Sequence, residues 1–262
     1  ASGVVTTIAG TGGSGSTDAL GAMASFGSLY GLAADAAGYL YVPDHDNGKL
    51  RLIDTSTGLV TTLTAAGLTN PAGIAVNAAG DLFVANLGTH TVRAYKVTPA
   101  PTASPTAPTI PALTWTAGTI AGTGVVEGSL AVAQLGDPTG VACDPFSGDI
   151  ALAGYQKNNI RRVTRNGRVS TWTGSGAAGS ATGLGLAAEV HIPHDLTVAA
   201  NGDGYIAEYY GCVISKVTPA GSKTNVAGTP LACAHVPGAT PNFYKPTGVA
   251  LFGNKLTVNE FA

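Results

Sequence analysis

Charged side chains are scarce in this chain of 262 residues, and their scarcity limits its partners. Asp, Glu, Lys and Arg make up 11% of the residues, and the formal net charge is −2. A nucleic-acid-binding protein carries a broad basic stripe or patch. The nearest approach to one is Arg161 and Arg162 with two further arginines beyond, which we interpret as a solvated strand face. We therefore expect no nucleic acid among the partners.

Long hydrophobic runs are missing as well. No apolar stretch approaches the ~20 residues of a transmembrane helix, so we predict no membrane span. No basic segment followed by a hydrophobic one opens the chain at Ala1, a start that fits a mature secreted chain and equally a cytosolic fragment. Helical periodicity is also absent, apart from a short turn near residues 19–26.

Cysteine is rare, with three residues in the chain. Cys143 lies in an apolar segment, and we expect it to be a small buried core residue. Cys212 and Cys233 flank a predicted strand at 223–227, and they either form a disulfide or remain two unpaired thiols. A disulfide would indicate an oxidising compartment.

Glycine, by contrast, is abundant, and one glycine-led phrase returns five times. The chain has 37 Gly residues, which favour tight turns between short strands. Internal repetition of a short phrase along a chain is typical of propellers and arrays. The five copies of the phrase are Gly31–Asp35, Gly73–Asn77, Gly140–Asp144, His194–Val198 and Gly248–Leu251.

Further strands recur around each copy of this phrase. A Thr-rich strand precedes it, a second apolar strand follows a Gly turn, and a fourth strand carries Lys or Arg. Four short strands per unit are the pattern of a propeller blade. The cationic strands are Lys49–Ile53, Thr91–Tyr95, Ile160–Val163 and Val213–Val217.

These residues carry a family resemblance. The first repeat resembles the NHL repeat in Ile8–Gly12, Phe26, Gly31–Ala33, Asp44 and Leu50–Asp54. The repeats together cover nearly the whole chain. The resemblance implies a β-propeller. Such domains mostly serve as binding or scaffolding platforms, and a minority are enzymes, including peptidyl-hydroxyglycine lyases that bind metal through histidines.

We therefore predict an all-β fold, a single propeller domain over residues 1–262 with about five four-stranded blades. The N-terminal strand Val4–Ile8 closes the ring, and the last blade is one strand short. An unfilled gap would expose unpaired backbone groups that invite a strand from a neighbouring molecule. Alternatively, the chain continues beyond Ala262, or the count is wrong by one strand. The residues predicted to form this assembly edge are Val4, Thr6, Ile8, Leu256, Val258 and Phe261.

A Pro/Thr/Ser-rich insertion at residues 98–112 separates the second and third predicted blades. Proline at this density prevents strand pairing and favours an extended segment. Alternating Pro with Ser or Thr is typical of O-glycosylated stalks and hydroxyproline-rich wall glycoproteins, and the alternative is an unmodified loop. The candidate positions for glycosylation or hydroxylation are Thr98, Pro99, Pro101, Thr102, Ser104, Pro105, Thr106, Pro108, Thr109 and Pro111.

Catalytic and metal-binding patterns are weak. We predict no catalytic residues and no cofactor, because neither a Gly-x-Ser-x-Gly elbow nor an HExxH spacing occurs. The weak metal candidates are His191 and His194, three residues apart on an extended strand and therefore on opposite faces. His194 stands where the other copies of the repeated phrase have Gly.

These observations favour a non-enzymatic, secreted structural or adhesion propeller. We expect it to be a self-assembling subunit of an extracellular filament or wall coat, whose partners are further copies of itself, another extracellular protein or a glycan. One alternative is a platform for a glycan or peptide, for which the tyrosines would supply an aromatic surface. The other is a metal-dependent lyase or hydrolase of the NHL type.

Overall fold

The computed structural model describes residues 6–63, 65, 67–98, 112–115, 126–129, 133–237, 241–252 and 255–260. Within these ranges the regular structure is almost entirely β, which confirms the all-β class. The helical elements there are single turns of 3-10 helix at Gly21–Met23, Leu87–Thr89, Tyr155–Lys157 and Gly185–Ala187. The described residues fall into two compact units, within Ala1–Gly88 and Ala94–Ala117 and within Thr89–Arg93 and Gly118–Ala262.

The first two sheets each have four antiparallel strands in sequence order. The first contains β1 (Ala33–Ala34), β2 (Tyr39–Asp44), β3 (Lys49–Asp54) and β4 (Val60–Leu63). The second contains β5 (Pro71–Val76), β6 (Asp81–Asn86), β7 (Thr91–Thr98) and β8 (Ala112–Trp115). The core of the first unit joins these sheets through buried side chains that include Tyr41, Leu50, Leu52, Ile74, Leu82, Val84 and Tyr95.

The second unit contains three sheets among its described residues. The third sheet has the order β10-β11-β12-β13-β9, from β9 (Gly128–Ser129), β10 (Pro138–Cys143), β11 (Ile150–Gly154), β12 (Asn159–Val163) and β13 (Arg168–Thr173). The fourth has the order β14-β18-β17-β16-β15, from β14 (Gly183–Leu184), β15 (Pro193–Val198), β16 (Gly204–Glu208), β17 (Val213–Val217) and β18 (Ser222–Ala227). The fifth pairs β19 (Pro246–Phe252) with β20 (Lys255–Glu260).

The N-terminal segment differs from the prediction. Thr6 to Ile8 form no strand, and Val4 lies outside the described residues. The side chain of Ile8 is 47% exposed, so no sheet buries it, and Gly10 then turns the chain with a φ of +116°. Closure of a ring by this segment therefore stays a prediction.

The proline-rich tract also lies elsewhere in the topology than expected. β7 and β8, which flank it, pair with each other, and Thr98 is opposite Ala112. The tract therefore connects two strands of one sheet rather than two blades, because the outermost strand of the second sheet comes after it in the chain. Thr98 ends β7, whereas the modification candidates at 99–111 lie outside the described residues.

A buried ion pair fixes the loop structure of the first sheet. Arg51 on β3 and Asp44 at the end of β2 are both fully buried, with 2.9 Å between Nη1 and Oδ2. The guanidinium also donates to the carbonyl oxygens of Thr17 and Ser25 and to the carboxylate of Asp18. One cation thus holds together a loop whose own pairing consists of isolated β-bridges rather than a continuous strand.

The structure contains a disulfide between Cys212 and Cys233, whose Cα atoms are 5.2 Å apart. It links the residue before β17 to the loop after β18. The third cysteine differs from its prediction, because Cys143 at the end of β10 is half-buried rather than buried.

Candidate functional site

In four of the five sheets a polar residue ends the strand β2, β6, β16 or β20. Its side chain holds the loop that precedes the strand paired with it, which is β1, β5, β15 or β19. Its side-chain oxygen accepts a backbone N–H at 2.7–3.0 Å. The donor lies two residues before Leu29, Pro71, Pro193 or Pro246, the residue that pairs with the acceptor. The donor and acceptor pairs are Gly27 and Asp44, Thr69 and Asn86, His191 and Glu208, and Tyr244 and Glu260. We call this contact the loop clasp.

Two of the clasp carboxylates also bind a buried cation. Asp44 binds Arg51, as described above, and Glu208 binds Lys223 of β18 with 2.9 Å between Nζ and Oε1. All four side chains are fully buried. A buried carboxylate without such a partner would carry a large desolvation cost. The clasp positions therefore combine loop anchoring with charge neutralisation.

The clasp acid of the fifth sheet has a different environment. Glu260 at the end of β20 is 21% exposed, and the described side chain nearest to its carboxylate is the imidazole of His235, with 3.0 Å between Nδ1 and Oε2. The side chain of His235 is itself 64% exposed. Among the described residues β20 pairs with β19 alone, so its other edge has no described strand beside it.

The side chains of β20 alternate in exposure. Lys255, Thr257 and Asn259 are exposed, whereas Leu256, Val258 and Glu260 are half-buried. Leu256 and Val258 pack against a buried cluster of Ala207, Ile214, Phe243 and Val249. The apolar face is thus fixed to the fourth and fifth sheets, and the backbone edge is positioned by that packing.

The predicted assembly edge is only partly brought together. Leu256 and Val258 share one face of β20, but Thr6 and Ile8 are not in a strand. Val4 and Phe261 lie outside the described residues. The role of all six in assembly stays a prediction.

An acidic side chain of β15 lies between β10 and β19 in the second unit. Asp195 of β15 accepts a hydrogen bond from the backbone N–H of Val249 on β19, with 3.1 Å between N and Oδ2. On the other side Gly140 of β10 is so close that a Cβ there would lie 2.7 Å from the Cα of Asp195. Burial raises the pKa of Asp195 to about 6.

Strand register corrects the assignment of His194. The residue two positions after the Pro that recurs in these strands is Gly140 in β10, Asp195 in β15 and Gly248 in β19. Asp195 and Gly248 are opposite Ala207 and Asn259, the residues just before the end of their partner strands. Asp195, rather than His194, therefore replaces the repeated Gly. Aligning the copies on Pro193 instead of on the apolar phrase would have revealed it.

Stability should depend on the charge of Asp195. Because its pKa is raised in the folded state from 3.8 to about 6, the folded chain binds a proton more tightly than the unfolded chain. The free energy of unfolding should therefore fall as the pH rises from about 4 to about 6. Asp195→Asn keeps the acceptor for Val249, and we expect it to lose this dependence. Parallel denaturant titrations at pH 4, 5, 6 and 7 would test this, and identical pH slopes would contradict it.

Close strand contact at Gly140 gives a second prediction. Gly140→Ala should lower the free energy of unfolding by about 2 kcal/mol, because its new methyl group would meet the backbone of β15. Gly248→Ala is the matched control, since the nearest atom to a Cβ there is 3.5 Å away, an ordinary contact. Urea unfolding of both variants would test the contrast, and equal losses would contradict it.

The two histidine candidates contact different partners. The Nδ1 of His194 lies 2.9 Å from the carbonyl oxygen of Thr247, and its ring lies against Tyr155 and Tyr209. Burial lowers its pKa. The ring of His191 lies against Tyr210. In the part of the chain that the structure describes, no three His, Cys, Asp or Glu side chains group as metal ligands would.

Aromatic rings gather around a lysine in the second unit. The Nζ of Lys245 lies 5.5, 5.5 and 5.1 Å from the ring centres of Tyr209, Tyr210 and Tyr244. Tyr210 and Tyr244 are 45% and 39% exposed. We call Tyr209, Tyr210, Tyr244 and Lys245 the tyrosine surface. Three other tyrosines, Tyr30, Tyr39 and Tyr41, belong to the first unit and so are not part of this surface.

The first unit has a cleft of its own, with a volume of about 400 Å³. Backbone of Gly10–Gly13 and the side chains of Phe26, Ser28 and Asp46 line it. Hydrogen bonds from Ser28 and His45 lower the pKa of Asp46 to about 2, so the cleft presents a negative charge. This charge disfavours phosphate, although the glycine content of the loop resembles that of phosphate loops.

One of the repeated units matches a known family model. The NHL repeat matches the segment that contains β5, β6 and the start of β7. The match covers residues 68–95. This match confirms the resemblance to NHL-repeat propellers. No curated protein matches the chain.

Several solved structures have the same propeller-like fold. One is in a nidogen/laminin complex, with 17% identity, a TM-score of 0.60, and coverage of 88% of this chain and 72% of that chain. A second is an auxiliary nutrient binding protein from Bacteroides ovatus, with 16% identity, a TM-score of 0.59, and coverage of 86% and 54%. A third is a catalytically inactive virginiamycin B lyase from Staphylococcus aureus with quinupristin, with 14% identity, a TM-score of 0.51, and coverage of 88% and 77%. At these identities the likeness concerns the fold alone. Among the described residues no helix is long and apolar enough to span a membrane.

Proposed function

We propose that this protein is a non-enzymatic, secreted structural or adhesion module that takes up a strand of another polypeptide along β20. The observation that carries the proposal is the edge of β20, which has no described neighbour while its apolar face is fixed by packing. Such an edge presents backbone donors and acceptors in a rigid row, the feature used in recognition by strand addition.

Two further features support an extracellular setting. The disulfide between Cys212 and Cys233 suits an oxidising compartment. The Pro/Thr/Ser-rich tract at 98–112 has the composition of O-glycosylated or hydroxyproline-rich wall proteins. Assembly of such modules through their strand edges would give an extracellular filament or wall coat, because contacts that do not close a ring propagate.

The test is association of the purified chain as a function of concentration. Light scattering after gel filtration should show assemblies that grow with concentration, and electron microscopy should show their form. Thr257→Lys with Asn259→Lys places charges on the exposed positions of β20 and should abolish association, because edge lysines oppose strand pairing. Ala78→Lys with Ala79→Lys adds the same charge at exposed turn positions as a control. A chain that stays monomeric throughout, or equal effects of both variants, would contradict assembly of copies of this chain through β20.

The tyrosine surface supports a second candidate function, binding of a glycan or peptide. Exposed rings beside a lysine offer stacking faces to a sugar and a charge to an acidic group. Electrophoresis through gels that contain polygalacturonate or hydroxyethylcellulose would test for glycan binding. We expect retardation that Tyr210→Ala and Tyr244→Ala weaken, and that Tyr30→Ala, at a 55% exposed tyrosine of the first unit, leaves unchanged. Equal mobility in all gels would contradict glycan binding.

A further inference from the structure

The loop clasp suggests what the incoming strand must carry. In the first sheet the clasp acid, Asp44, ends β2, and Arg51 of the next strand neutralises it. In the fourth sheet Lys223 performs the same task for Glu208. Glu260 occupies the same position at the end of β20, but it contacts an exposed imidazole, that of His235, rather than a buried Arg or Lys. A strand that covers β20 would bury this carboxylate further, and an uncompensated buried charge is costly.

Strand register in the first sheet indicates a place for the missing cation on the neighbouring strand. In the first sheet Arg51 is opposite Val42, two residues before Asp44. In the third sheet Arg161 is opposite Leu152, again two residues before the end of the second strand, Gly154. In the fourth sheet the equivalent residue, opposite Ile206, is Ser215, and the cation Lys223 comes from the next strand, β18. In β20 the residue two positions before Glu260 is Val258. A basic residue opposite Val258 would therefore have its side chain on the same face as Glu260.

The sequence neighbours of Arg51 are both apolar, whereas Arg161 has one apolar neighbour and one basic neighbour, Arg162. Leu50 and Leu52 flank Arg51 and are buried, and the buried Ile160 precedes Arg161. Strands of this kind bury apolar side chains on both faces, while the backbone pairs along the edge. The matching occupant is thus an extended segment with a basic residue between aliphatic residues.

A second β20 does not meet this requirement. Two antiparallel strands related by a twofold axis place residues of the same face opposite each other. Val258 would then face Leu256, Val258 or Glu260 of the copy, whereas Lys255 lies on the other face with Thr257 and Asn259. Symmetric pairing would also bring a second carboxylate to the buried face. The partner strand therefore comes from a different segment.

We propose that β20 binds, in antiparallel orientation, an aliphatic–basic–aliphatic strand of another polypeptide, whose Arg or Lys is opposite Val258 and forms an ion pair with Glu260. This inference rests on the proposed strand addition at β20 and adds the chemistry of the partner. It does not require the partner to be a further copy of this chain.

A peptide with the sequence of β3, labelled with a fluorophore, is the probe, because β3 is the strand that neutralises Asp44. Fluorescence anisotropy should show binding to the intact protein, and replacing the peptide's arginine with Gln should weaken it at least about tenfold. Glu260→Gln keeps an acceptor for the N–H of Tyr244, so the loop clasp is retained, but we expect the preference for the basic peptide to vanish. Glu189→Gln makes the same change elsewhere in the second unit and should preserve the preference.

The outcomes separate the two proposals. If neither peptide binds and the amides of β20 exchange with solvent at an unchanged rate, strand addition and this inference both fail. If the two peptides bind equally, or if Glu260→Gln keeps the preference, strand addition stands and the ion pair with Glu260 is wrong. Restored binding of a peptide with Glu in place of its arginine to Glu260→Lys would confirm the register.

Discussion

Replacing Arg51 with Met is expected to lower the free energy of unfolding by about 3–5 kcal/mol. The guanidinium is fully buried, and it neutralises Asp44 and donates to the carbonyl oxygens of Thr17 and Ser25. Met fills a similar volume but leaves the carboxylate of Asp44 buried without its cation. Urea unfolding followed by circular dichroism would measure the loss.

Two controls separate this effect from a general loss of charge. Lys96→Met removes a lysine that is 57% exposed and 3.4 Å from Asp81, and exposed pairs contribute about 1 kcal/mol or less. The double variant Arg51→Met with Asp44→Asn should lose less free energy of unfolding than the two single variants together, because it leaves no buried charge without a partner. A small loss for Arg51→Met alone, or full additivity, would contradict the assigned role of the pair.

Removing the disulfide is expected to cost about 3 kcal/mol of unfolding free energy. The bridged cysteines are separated by 21 residues, and the cross-link restricts the unfolded chain over that loop. Cys233→Ser opens it while leaving the buried Cys212 in place. Denaturant unfolding of the variant and of the parent under oxidising conditions would measure the difference.

Reductant provides the control for this prediction. It should destabilise the parent protein by a similar amount and should not affect Cys233→Ser, because the variant lacks the bond. If the parent were as stable with reductant as without it, while free thiol appeared, the loop would already be restricted by other contacts.

Much of the strand pattern could be predicted from the sequence because each repeat brings its own alternation and turn glycines. β2, β3, β6 and β12 lie where the repeated phrases indicate strands. The disulfide could be anticipated because its cysteines flank one strand. Strands and turns of this kind depend mainly on residues close together in the chain, so the sequence shows directly which residues form them.

The features that could not be predicted from the sequence depend on contacts between distant strands. Gly140 and Gly248 occupy the same place in the repeat, but only the first lies against the backbone of β15. Asp195 was concealed because the phrase around it aligns equally well one residue earlier, on His194. The loop clasp was missed since its acceptor is Asp, Asn or Glu in different sheets, so no single residue type marks it.

The pairing of Thr98 with Ala112 has a practical consequence for protein engineering. The two ends of the intervening segment are held side by side in neighbouring strands, so residues inserted between them need not change the pairing of β7 with β8. In general, doubling the length of a loop costs only about 0.6 kcal/mol in closure entropy. Affinity tags, fluorescent reporters or whole foreign domains inserted between these ends should therefore leave the pairing of Thr98 with Ala112 intact.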